Sequence, residues 1–91
     1  MQWKSKKSEK LIQTLGKIIR EERKKRYDKS LTLFAYEFDL NPGNLCKIEN
    51  SQIEPKITML WRIAEALDMP LSDLIKLLEQ NLGEDFNLIE K

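Results

Sequence analysis

Asn44 and Lys47 stand three residues apart in the stretch LNPGNLCKIEN, Leu40 to Asn50. If the stretch is helical, the two fall one turn apart, on the side away from Leu45 and Ile48. An Asn amide there can hydrogen-bond adenine through two atoms, and a Lys ammonium can donate to the acceptors of guanine. The same pair also suits an ordinary solvated helix face, and the residues alone leave both readings open. Other chemistry has little to work with. The chain has no His, which removes Cys–His dyads, Ser–His–Asp triads and most zinc sites. Its single cysteine, Cys46, lies on the same stretch as a lone thiol, either structural or redox-sensing. The close carboxylates, Glu21 with Glu22 and Glu84 with Asp85, sit beside lysines or near the C-terminal end, and no Gly-rich phosphate loop occurs. The residues point away from an enzyme, and call for no metal, no cofactor and no small-molecule ligand.

Five helical segments must position these residues, within one domain of 91 residues. The first runs from Ser8, a plausible cap, to Arg26, with Leu11, Ile12, Leu15, Ile18 and Ile19 inward and Lys17, Arg20, Arg23, Lys24 and Arg26 opposite. Tyr27-Asp28-Lys29 is a loop, and Ser30 caps a short helix, LTLFAYEF, with Phe34, Ala35 and Phe38 inward. The third opens with Asn41 as cap and Pro42 in the first position, where its missing N–H costs nothing, and ends near Glu49. The fourth, Ile57 to Leu67, carries Ile57, Leu60, Trp61, Ala64 and Leu67 as its apolar stripe, which makes Trp61 and Met59 core residues. The fifth, from Pro70, buries Leu71, Leu74, Ile75, Leu78 and Leu82, and Gly83 stops it. The expected class is all-α, a compact five-helix bundle. Its divisions are a basic arm over 1–8, the bundle over 9–82 and a tail over 83–91 (strand, helical turn or disordered).

The formal net charge of +1 hides a strong polarity. Residues 1–30 hold eleven Lys/Arg against four Asp/Glu, whereas residues 61–91 hold three against seven. That suits a basic end for a polyanion and an acidic end turned away, or simply a well-solvated first helix. No apolar run approaches the roughly 20 residues of a membrane span, and the basic N-terminus lacks a cleavage-site pattern. A cytoplasmic location with no membrane partner is expected.

The run SLTLFAYEFDLNPGNLCKIENSQIEPKITMLWRIAEAL, preceded by LGKIIREERKKR, resembles the lambda-repressor/Cro-like helix-turn-helix family. The resemblance rests on Ala35, Leu40, Leu45, Lys47-Ile48-Glu49-Asn50, Pro55 and IAEAL, Ile63 to Leu67. It implies a third helix lying in the major groove of double-stranded DNA. Leu31 stands where the family usually has a phosphate-binding Gln, and Asp39 and Ser51 stand at usual glycines, with Asn50 offered for the left-handed position.

On this resemblance, Asn44 and Lys47 become the base readers. Gly43 lets the helix tip approach a phosphate. The DNA backbone falls to Ser30, Asn41, Gly43, Asn50 and Gln52, with Lys6 and Lys7 adding salt-sensitive affinity from the arm alongside Lys4 and Lys10, while Trp3 is either a hydrophobic anchor or incidental. Glu49 braces the third helix against a base of the first, either Arg23 or Lys24. The apolar residues Leu77, Phe86, Leu88 and Ile89 serve either a homodimer interface or a tail folded over its own core. The function implied is a DNA-binding regulator, a repressor on an inverted repeat. The rival is a protein-interaction module on the same fold.

Overall fold

In the computed structural model, which describes residues 5–89, five helices follow one another: α1 (Lys6–Arg26), α2 (Leu31–Glu37), α3 (Pro42–Glu49), α4 (Ile57–Ala66) and α5 (Leu71–Leu82). The class is all-α, as expected. The core is built from Leu15, Ile18 and Ile19 of α1, Phe34 and Ala35 of α2, Leu45 and Ile48 of α3, Leu60, Ile63 and Ala64 of α4, and Leu74 and Leu78 of α5. No helix among the described residues is long and apolar enough to cross a membrane.

Two local boundaries differ from the expected ones. Ser5, not Ser8, caps α1, accepting the Ser8 N–H at 3.1 Å. Lys6, Lys7 and Lys10 are therefore helical residues rather than a loose arm, while Trp3 and Lys4 lie outside the described residues. In α4 the buried stripe is Leu60, Ile63, Ala64 and Leu67, and Ile57 and Trp61 face outward, 63% and 55% exposed. Both stripes satisfy helical spacing in a segment this rich in apolar residues, so packing against α5 makes the choice. Met59 is partly buried against the core. Phe38 is also more exposed than its spacing suggested, and packs edgewise on Phe34 and Tyr27.

Three helices end on one device. Asp39, Ser51 and Asp68 adopt left-handed φ angles of 56°, 63° and 60°. Each lets the following N–H reach back five residues: Leu40 to Ala35, Gln52 to Lys47, and Met69 to Ala64. These satisfy carbonyls left over at the helix ends. Asn50, with φ −94°, does not take the left-handed position, which belongs to Ser51.

Beyond Gly83 the tail has no strand among its described residues. Phe86 is half-buried near Leu11 and Leu82, and Lys7 Nζ donates to Asn87 Oδ1 at 3.0 Å. The tail thus folds back on the start of α1, with Leu88 and Ile89 left exposed.

Candidate nucleic-acid interface

The tip of α3 is set by Asn41, whose Oδ1 accepts the Asn44 N–H at 2.9 Å, and by Pro42 in the first turn. Gly43 is exposed there, and a Cβ on it would lie 3.2 Å from the capping oxygen. Glycine thus keeps the cap uncrowded as well as the surface low. Leu45 and Ile48 are buried, which turns Asn44, Cys46 and Lys47 outward. Neither the Asn44 nor the Lys47 side chain is engaged by another described residue, so both remain available to a ligand. At the other end, the Gln52 N–H donates to the Lys47 carbonyl at 2.8 Å and holds exposed Gln52 beside Lys47.

The inner side of α3 is pinned to α1 in two ways. Gly16 packs so closely that a Cβ there would fall 2.5 Å from the Ile48 carbonyl oxygen and 2.9 Å from that of Glu49. One to two turns further along, Arg23 meets Glu49 fork to fork, Nε to Oε2 at 2.7 Å and Nη2 to Oε1 at 2.9 Å. Both side chains are buried, and the hydrogen bond to Glu49 raises the Arg23 pKa, so the cation is held in its charged form. Of the two bases offered for Glu49, Arg23 is the one in contact; Lys24 is exposed. A 21-residue helix turns each successive residue by about 100°, and only one of two neighbours can face α3.

Arg20, a surface charge by sequence alone, also reaches α3. Its Nη2 donates to Asn50 Oδ1 at 2.6 Å, and its Nε lies 3.6 Å from Glu49. Asn50 in turn donates to the Cys46 carbonyl at 2.9 Å and to Cys46 Sγ at 3.4 Å. The Asn50 amide, read as a phosphate ligand, is thus tied at both ends in the free protein. The available signal was spacing: Gly16, Arg20 and Arg23 recur at i, i+4 and i+7, one face of α1.

The remaining expected contacts separate into two groups. Ser30 caps α2, accepting the Leu33 N–H, and is exposed at the α2 end of the motif. Lys6 and Lys7 sit about ten residues before Gly16, some 15 Å along the helix axis, near Asp85 and Phe86 of the tail. They are not gathered with α3. The basic face of α1 is also less free than its composition implied. Lys25 and Arg26 both bind Glu22 at 3.0 Å, and Arg26 donates to the Leu67 carbonyl. Burial pushes the Glu22 carboxyl up, but hydrogen bonds from Lys25 and Arg26 outweigh it and hold it below its ordinary value. Lys17 and Lys24 remain as exposed cations facing solvent.

A helix-turn-helix family model matches residues 19–74, from the middle of α1 into α5. The chain belongs to the lambda-repressor/Cro-like helix-turn-helix family. This places a DNA-binding regulator's motif on α2 and α3, the pair whose turn contains Asp39 and Leu40. No curated protein matches the chain.

Proposed function

We propose that this helix-turn-helix protein is a sequence-specific transcriptional regulator, acting as a repressor that binds an inverted-repeat operator as a dimer. The observation that carries the reading is the two-sidedness of α3: its inner face is fixed by Gly16 and by Arg23, while Asn44 and Lys47 stand outward and unengaged. In the major groove, Asn44 reads adenine and Lys47 reads guanine, one turn apart. Gly43 brings the α3 N-terminus against a phosphate, with Ser30, Asn41 and Gln52 alongside. Exposed Leu88 and Ile89 supply apolar surface for a second copy, which sets two reading helices about 34 Å apart.

Selection of bound duplexes from a randomised library at moderate salt, followed by sequencing, tests this directly. Enrichment of a two-fold repeat with half-sites about one turn apart is the expected result. Retention without an enriched sequence would leave a charge-driven binder. No retention by folded protein would favour the protein-interaction module.

A further inference from the structure

We infer that the groove between α4 and α5 docks a protein segment carrying cationic side chains around apolar ones. Trp61 is more than half exposed at the groove's edge, an unusual position for so large an apolar side chain, and Ile57 extends the apolar strip one turn along α4. Met69, Leu71 and Ile75 form the apolar surface between the helices. Around it stand three exposed carboxylates, Glu65 and Asp68 from α4 and its turn, and Glu79 from α5. None of the three forms an ion pair among the described residues. Arg62, at the Ile57 end, is the one cation among the residues lining the strip.

The sign of the rim selects the occupant. Nucleic acid is repelled by three unpaired carboxylates. A second copy docked about a two-fold axis would bring this anionic rim against its own equivalent, a like-charge contact that disfavours self-pairing. A foreign segment with lysines or arginines flanking leucine-like side chains satisfies both parts at once. Its apolar side chains cover Trp61, Leu71 and Ile75, and its cations meet Glu65, Asp68 and Glu79. The layout suits a helix laid along the groove. On α4, Trp61 and Glu65 lie at i and i+4; on α5, Ser72, Ile75 and Glu79 lie at i, i+3 and i+7. Because α3 packs on α1 and α2 while α4 packs on α5, the groove does not use the DNA-reading elements, and the inference stands apart from the proposed operator binding.

The test is an amide-correlation NMR titration of the full chain with a short synthetic Leu–Lys amphipathic peptide, and separately with its Leu–Glu counterpart. The expected result is saturable shifts centred on the Trp61 indole, Leu71 and Ile75 with the Leu–Lys peptide only. Glu65→Gln/Glu79→Gln, and separately Trp61→Ala, should each weaken the apparent affinity by about tenfold, as loss of an interface hot spot does. Both variants alter exposed side chains, and an unchanged spectrum elsewhere verifies folding. Shifts spread equally over Glu84 and Asp85, equal binding of the Leu–Glu peptide, or full affinity in the double Gln variant would overturn the inference. Groove shifts that grow with protein concentration alone would overturn it too, by making the face a self-interface.

Discussion

Arg23→Ala removes one half of the bridge that holds α3. The Glu49 carboxylate, 1% exposed beside Arg23, loses its two short hydrogen bonds in the interior. Breaking a buried pair from one side typically costs about 3–5 kcal/mol, mostly the penalty of an uncompensated charge. Arg20 lies 3.6 Å from the same carboxylate on a 42% exposed side chain and can swing toward it, which places the expected loss near the lower end. A loss of about 3 kcal/mol moves a urea midpoint down by roughly 2–3 M in a chain this small. That removes much of a total stability that is about 5–15 kcal/mol for single domains. Arg23→Met/Glu49→Met should return to within about 1 kcal/mol of the parent, because it removes both desolvation penalties together. The assay is equilibrium urea unfolding followed by far-UV circular dichroism for both singles and the double. If Arg23→Ala costs less than about 1 kcal/mol, the pair behaves as a surface bridge and the bracing of α3 is refuted.

Gly16→Ala should destabilise by about 1–3 kcal/mol despite the better helix propensity of Ala, because the added methyl meets the carbonyl oxygens of Ile48 and Glu49; a thermal melt measures it. Ser51→Gly should stabilise by up to about 1 kcal/mol by relieving a left-handed non-glycine residue at φ 63°, read from the same urea curves. The Glu22 carboxyl, held below its ordinary 4.5 in the folded chain, contributes stability that is present above that value. The contribution is lost as pH falls through the folded pKa, so Glu22→Gln should flatten the acid limb of a stability–pH profile. Lys47→Ala should relax preference at a single base step by about 1–3 kcal/mol in competition binding against singly mismatched duplexes, with the other positions unchanged.

The helices and most of their ends were legible because local chemistry sets them: Ser30 and Asn41 cap as their types suggest, and Gly83, at φ 90°, stops α5. The α4 face was not legible. Eight of the eleven residues from Ile57 to Leu67 are apolar, two stripes fit, and tertiary packing picks the one that leaves Trp61 outside. Charge was legible as a count and misleading as a surface, since Arg23, Lys25 and Arg26 are engaged within the fold. The choice between Arg23 and Lys24 depended on the phase of α1 relative to α3. Gly16 marks that phase, and an interior helix glycine is a sign of close approach.

The close contact at Gly16 also bears on how such a protein can change over generations. Main-chain atoms of Ile48 and Glu49 set the distance between α1 and α3, so the seating of α3 depends little on what its outer residues are. Substitutions at Asn44 and Lys47 alter exposed, unengaged side chains without disturbing that seat. If α3 reads DNA as proposed, a lineage carrying this fold can therefore drift from one recognised sequence to another through foldable intermediates, with target choice and structural integrity under separate selection.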